Sequence, residues 1–289
     1  VSSDGKIHFN PFFKPDWSPD YLRSINYISH FTVIAKPVID AIGGLYGRFD
    51  GAEDWNLVLR ATNFLTIKDG SAWSQDKIVH IPKILYSWRQ AENSTTANEA
   101  TAGSNRQYAI DAERQVLTSD LSDRGYEGTV EHGQHQAWRV RYEIIGQPKV
   151  TIIIPTKSHL PYIQRCLGSI SDKTTYKNYE LLIVDTGSRE RAVWEYYKKQ
   201  QESDKRIKVI EWGETFNYAA VCNFGGSQAE GDYIILLNND VEIISPGWIE
   251  ALLECAQRTG VGAVGCKLLY PDRRIQHAGV ALGMGLANG

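Results

Sequence analysis

The sequence predicts an α/β protein organised around a Rossmann-like, mostly parallel sheet. Three observations carry that expectation. After Lys149, apolar runs of strand length alternate with amphipathic stretches of helix length. Those runs are rich in β-branched residues and almost free of polar ones, as strands covered on both faces must be. Polar and acidic residues (Thr156, Asp185 and Asp240) follow the runs, and an open parallel sheet binds its ligands outside the carboxyl ends of its strands.

The elements follow in chain order. A Pro-rich aromatic segment, NPFFKPDWSPDYL, precedes an expected short strand at 31–35 and a helix at 38–42 that Gly43 and Gly44 should stop. GAEDWNLVLRA opens a second helix, with its acidic residues in the first turn, where the dipole favours them. A strand over 77–86 closes a first segment, 1–92. Residues 93–148 read as a connector: a polar stretch, a helix over 106–121 with Ala109, Ala112 and Val116 on one face, then an irregular stretch holding His132 and His135. From 149 to 289 the βαβ alternation takes over. VTIIIP (150–155) is a strand, and Leu160, Ile163, Leu167 and Ile170 fall at helical spacing. Strands are expected at 180–185, 207–211, 233–237 and 261–269, with helices at 190–201, 219–229 and 248–258. Strand–helix–strand units of this kind close with a right-handed crossover.

Composition excludes several classes. Over 289 residues, 42% are hydrophobic and 22% charged, as in globular domains, and there is room for two of them. A net charge of −3 gives no footprint for nucleic acid. No apolar run reaches the ~18–20 residues that a bilayer span needs. Cys166, Cys222, Cys255 and Cys266 are scattered without CxxC spacing, so they read as thiols of a reducing compartment. The opening residues do not read as a secretory signal. The chain opens at Val1 and stops within GVALGMGLANG, and it is read as a fragment.

The strand ends suggest a nucleotide site. Pro155, Thr156 and Lys157 follow the first strand of the alternation, Asp185 (in VDTGS) the second, and Asn238, Asn239 and Asp240 (in LLNNDVE) the fourth. One carboxylate can accept hydrogen bonds from a base or ribose, and another can hold a cation that neutralises a diphosphate. Asp185 and Asp240 are therefore expected at one edge of one sheet.

These residues also carry a resemblance. The string VTIIIPTKSHLPYIQRCLGSI, YELLIVDTGS, FNYAAVCNFGGSQAEGDYIILLNNDVEI, GWIEALL and VGAVGCKLLYPDRRIQHAGVALG is similar to the nucleotide-binding half of bacterial family 2 glycosyltransferases of GT-A fold. That resemblance implies a donor site built on Pro155, Thr156, Asp185 and Asn238, with Asp185 on the nucleoside. It implies a DXD-like motif at 238–240, with Asp240 the ligand of Mg²⁺ or Mn²⁺. Asn stands where the motif's first Asp often falls, which lowers the charge offered to the cation. Ahead of it, FKPDWSPDYLRSINYISHFTVIAKPVIDAIGG, GAEDWNLVLR and IVHIPKILYSWR resemble the acceptor half of a transferase of the same family. There Asp54 corresponds to the general base and Glu53 shapes the acceptor site, since inverting transfer needs a carboxylate beside the attacking hydroxyl.

Acceptor half before donor half reverses the order of a single domain. A tandem enzyme explains it, as the end of one transferase joined to the start of the next; circular permutation is the alternative. The resemblance implies a UDP- or dTDP-sugar donor and a glycan acceptor, lipid-linked acceptors among them. It also implies surface-polysaccharide synthesis in the cytoplasm, at the inner face of the membrane, with peripheral attachment through regions outside this chain.

Two rivals stay in view. A nucleotidyltransferase should carry a glycine-rich basic loop after its first strand, and PTKSHLPY has no glycine. A non-catalytic glycan- or nucleotide-binding module would have no need of Glu53, Asp54 and Asp240. Blander readings attach to single residues: His80 as a packed histidine, Trp88 and Arg89 as a stacked surface pair, His132 and His135 as chance neighbours. Asn93-Ser94-Thr95 is a glycosylation sequon by chance.

Overall fold

A computed structural model describes residues 1–69, 77–89, 103–133 and 137–282. The sequon at Asn93, the polar stretch of the connector and His135 lie outside the described residues. The chain divides into two compact units: residues 1–143 with the stretch from 265 onward, and residues 144–264.

The first unit is mainly helical: α1 Pro19–Leu22, α2 Lys36–Ile42, α3 Glu53–Asp69 and α4 Gly103–Asp123, followed by β1 Gly128–His132 and β2 Trp138–Tyr142. Helix α2 ends on Gly43 at φ 78°, the left-handed stop expected there. The core gathers Trp17, Leu22, Tyr27, Phe49, Trp55 and Leu59 with Ala112, Val116 and Leu117 of α4 and Trp138 of β2. Helix α4, read from sequence as part of a connector, thus contributes one wall of this core. A buried ion pair ties it down, Arg23 Nε to Asp120 Oδ2 at 3.0 Å, with Arg124 Nε on the other Asp120 oxygen at 2.7 Å.

Four sequence expectations give way. The strands foreseen at 31–35 and 77–86 do not form among the described residues: Val33 is 87% exposed and Ile84 80%. A β-branched run becomes a strand only where a neighbour takes its backbone hydrogen bonds, and these runs have no ladder. The stretch expected to be irregular holds the antiparallel pair β1–β2, with Val130 opposite Val140. Its signal was the alternation in WRVRY, which turns Trp138 and Tyr142 inward. Of the strand foreseen at 261–269 only β7 Leu268–Leu269 forms, paired antiparallel with β8 Ile275–His277.

The second unit follows expectation closely. In chain order it comprises β3 Val150–Thr156, α5 Leu160–Lys173, β4 Tyr179–Asp185, α6 Arg191–Ser203, β5 Ile207–Glu211, α7 Tyr218–Ser227, β6 Tyr233–Leu236 and α8 Trp248–Ala256. The four strands form one parallel sheet in the order β5-β4-β3-β6. Period-2 alternation sorts its side chains into two faces. Val150, Ile152, Ile154, Leu181 and Ile183 pack with Ile163, Leu167 and Ile170 of α5, Val193 and Tyr197 of α6, and Ile249 and Leu253 of α8. Ile153, Leu182 and Val184 pack with Val221 of α7 on the opposite face. With both faces covered, all seven β4 residues are buried, which is why their sequence reads as one apolar run.

Candidate functional site

Because β3, β4, β5 and β6 are parallel, their carboxyl ends share one edge. The register sets Thr156 beside Asp185 and Asp185 beside Glu211, while Leu237 N–H reaches Ile153 O just before Asn238-Asn239-Asp240. Asp185 and Asp240 therefore lie at the same sheet edge, as the strand-end reading required. A cleft of about 590 Å³ opens there, lined by Lys157, Ser158, Thr186, Gly187, Ser188, Arg189, Glu190, Trp212, Gly213 and Glu214.

The two aspartates differ sharply in their surroundings. Asp185 is 1% exposed, and the protein's own donors occupy it. Its Oδ1 accepts the Gly187 and Ser188 N–H groups at 2.9 and 2.7 Å; its Oδ2 accepts the Ser188 and Tyr197 hydroxyls at 2.5 and 3.0 Å. A carboxylate has about four acceptor positions, and all are filled. Gly187 closes this turn at φ 108°, a conformation that a side chain would strain. Asp240 is exposed, and among the described residues its carboxylate has no hydrogen-bond or ion-pair partner.

The segment carrying Asp240 is held from α5. Cys166 Sγ lies 3.8 Å from Asn238 O, Ser169 Oγ accepts Ile243 N–H at 2.9 Å, and Lys173 Nζ donates to Ile243 O at 2.7 Å. Burial, with the charge of Asp240 adding, pushes the Cys166 thiol up to about 12, so it stays protonated and unreactive. Asn239 Nδ2 donates to the buried Thr156 hydroxyl at 2.8 Å, and Thr186 N–H donates to Thr156 O at 2.9 Å. Thr156 thus joins three strand ends from inside. Pro155 is half-buried, and the residues on the cleft wall are the two that follow β3, Lys157 and Ser158. Asn238 is exposed beside Asp240.

Sequence reasoning named Lys157 only as a strand-end residue and passed over Arg189 and the aromatic wall of the cleft. Lys157 and Arg189 line it with side chains that have no partner among the described residues, so both are free to meet an anionic ligand, although Glu190 and Glu214 in the same lining balance their charge. Trp212 follows β5 as Thr186 follows β4, and the end of the 207–211 strand was the available signal. No group of three His, Cys, Asp or Glu side chains among the described residues could hold a metal ion. A divalent cation here would have Asp240, the amide oxygen of Asn238 and phosphate oxygens as ligands, a donor set that suits hard Mg²⁺ or Mn²⁺.

In the first unit, α3 begins at Glu53. Glu53 Oε2 accepts Gly51 N–H at 2.7 Å, closing its own loop. Asp54 is exposed, with Asn26 Nδ2 on Oδ2 at 3.0 Å, while buried Trp55 holds the helix start through Nε1 to Leu22 O at 2.9 Å. Glu113 is a neighbour the sequence did not flag: burial raises its pKa, the charge of Asp54 adds to this, and Trp138 Nε1 donates to it at 2.6 Å. His80 is half-buried against Asp16 at 3.2 Å, and Trp88 is 54% exposed.

A family model described as Glycosyl transferase family 2 matches residues 151–281, the span that holds the cleft and Asp240. Residues 151–281 thus carry a glycosyl transferase family 2 domain. An uncharacterized protein of Sinorhizobium fredii, y4gI, is 38% identical over 285 residues, 98% of this chain and 30% of its own. The O-antigen biosynthesis protein RfbC of Myxococcus xanthus is 37% identical over 274 residues, 95% of this chain and 20% of its own. The chain thus spans 30% and 20% of the length of these relatives. Among solved structures, the mannosyltransferase PcManGT from Pyrobaculum calidifontis in complex with GDP-Man and Mn²⁺ is 22% identical. It covers 45% of this chain and 38% of its own, with a TM-score of 0.41. Among the described residues no helix is long and apolar enough to cross a membrane.

Proposed function

We propose that this chain serves inverting glycosyl transfer from a UDP- or dTDP-sugar to a glycan acceptor, in the synthesis of a bacterial surface polysaccharide at the inner face of the membrane. The observation that carries the reading is the edge of the parallel sheet, where Asp240 shares its side with a cleft lined by Lys157 and Arg189, all three side chains without a partner among the described residues. A nucleoside diphosphate matches that edge: a flat base for the Trp212 wall and phosphates for the two cations. The family match over residues 151–281 and the likeness to an O-antigen biosynthesis protein support the transferase class and the polysaccharide product.

Roles follow from the chemistry. Lys157 and Arg189 attract the diphosphate and compensate its charge, and Asp240 with Asn238 would hold the Mg²⁺ or Mn²⁺ that it brings. When bound, such a cation supplies charge to the departing diphosphate. Thr156 and Asp185 keep the strand ends and the cleft turn in place. Asp54 takes the proton from an acceptor hydroxyl as its oxygen bonds to the anomeric carbon and the bond to the diphosphate breaks on the opposite side; Glu53 shapes the turn from which Asp54 projects. In the tandem reading Asp54 serves one transferase domain and the cleft serves another. Its support is that two much longer relatives match both halves in this order.

Calorimetry tests the reading. UDP or dTDP should bind the chain more tightly with Mn²⁺ than with chelator, and Asp240→Ala should remove most of that difference. Equal affinity with and without Mn²⁺ would refute the metal role of Asp240, and no nucleotide binding would refute the donor site. The tandem reading further expects no sugar transfer by this chain alone; turnover that Asp54→Asn abolishes would overturn it in favour of a permuted single domain.

A further inference from the structure

Ser188 lines the cleft, yet it spends all its polar atoms on the protein. Its N–H and hydroxyl donate to Asp185, its carbonyl accepts Trp194 Nε1 at 3.0 Å, and its Oγ accepts Ser158 N–H at 2.6 Å. Ser158 belongs to the opposite wall, at the end of β3, and it is strained. Ser158 and His159 both lie in the left-handed region, at φ 55° and 52°, where non-glycine residues persist only if their surroundings impose it. What imposes it is the facing loop. Ser158 gives its N–H to Ser188 Oγ and its hydroxyl to Glu190 Oε2 at 2.8 Å.

The direction of each bond in this chain is determined. Asp185 can only accept, so the Ser188 hydroxyl hydrogen goes to it, and Ser188 Oγ is left with lone pairs for Ser158 N–H. Tyr197 of α6 supplies the other hydroxyl on Asp185 Oδ2. Burial and the Asp185 charge both raise the Tyr197 pKa, so it remains a donor. Tyr197 and Trp194 sit one turn apart on α6, and both reach this loop.

We infer that Ser188 is a positioning residue: anchored by Asp185 and α6, it holds the strained Ser158–His159 turn and so couples the two walls of the cleft into one preformed site. This rests on the cleft being a nucleotide site. Preorganisation of that kind raises affinity by removing the ordering cost at binding. It gives Asp185 a role through its neighbours, in place of direct contact with a nucleoside.

The test uses the whole chain with UDP and Mn²⁺ as probe, in wild type, Ser188→Ala, Ser188→Thr and Tyr197→Phe. Ser188→Ala should weaken UDP roughly tenfold, the scale of one lost hydrogen bond. It should also speed amide hydrogen exchange at Ser158 while the amides of Ile152 and Ile153 keep their wild-type rates. Ser188→Thr, which keeps the hydroxyl, should restore both. Tyr197→Phe, a milder change, should weaken UDP roughly threefold by loosening Asp185. Wild-type exchange at Ser158 in Ser188→Ala, or wild-type UDP affinity with Ser158 released, would overturn the inference. If the wild type binds no UDP, the donor-site reading fails, and Ser158 exchange still decides whether the walls are coupled.

Discussion

The sheet edge opposite the cleft offers a prediction that can be worked to a number. Glu180, at the start of β4, is 3% exposed. Burial works against its charge, but the Thr151 hydroxyl at 2.7 Å, the Glu230 N–H at 2.9 Å and the ammonium groups of Lys149 and Lys208 at 3.0 and 3.1 Å outweigh it. Together they hold the carboxyl down to about 2, against an ordinary 4.5. That depression corresponds to about 3 kcal/mol of folding stability above pH 4.5. The two lysines are 32% and 41% exposed, so solvent screens part of it and about 2 kcal/mol is expected in practice. Because the folded value lies below the unfolded one, the contribution is complete above the unfolded pKa and drains as pH falls towards 2. The perturbation is Glu180→Gln, which keeps an acceptor for Thr151 and Glu230 and removes the charge. Urea unfolding at pH 7 should show the variant about 2 kcal/mol less stable, and at pH 3.5 that gap should shrink by about 60% by the same linkage. Raising the salt at pH 7 should also narrow it. A gap that is the same at pH 7 and pH 3.5 would show that Glu180 acts by packing and hydrogen bonding alone, and would refute the charge argument.

Two further outcomes follow. Gly225 of α7 stands so close to the sheet that an added Cβ would come within 2.7 Å of Ile153 Cγ2 and 3.2 Å of Val184 Cγ2; Gly225→Ala should cost about 1–3 kcal/mol in urea unfolding, and a neutral or stabilising result would mean that α7 lifts away freely. In the first unit, Asp120→Ala leaves the 5%-exposed Arg23 without its buried carboxylate, so thermal or urea unfolding should show a loss of about 3–5 kcal/mol; a loss below about 1 kcal/mol would show that water reaches Arg23.

The second unit was legible in the sequence because its signals are local. Ile152, Ile154, Leu181 and Ile183 sit in strands buried on both faces, so each strand appears as an unbroken apolar run, and α5 shows its buried stripe at helical spacing. Parallel pairing then put Asp185 and Asp240 at one edge with no further information. The segments at 31–35 and 77–86 have the composition of strands but acquire no partner, and whether a ladder forms depends on a neighbour that composition cannot supply. What Asp185 does was likewise decided only in three dimensions. Its place at a strand end was written in the sequence, but the donors that fill it come from Tyr197, twelve residues on in α6, as well as from its own turn. The strain at Ser158 depends on Ser188, thirty residues away and across the cleft. Local periodicity specifies strands, helices and their order; which polar groups are spent on the protein and which remain free for a ligand is set by side chains that only the packed fold brings together.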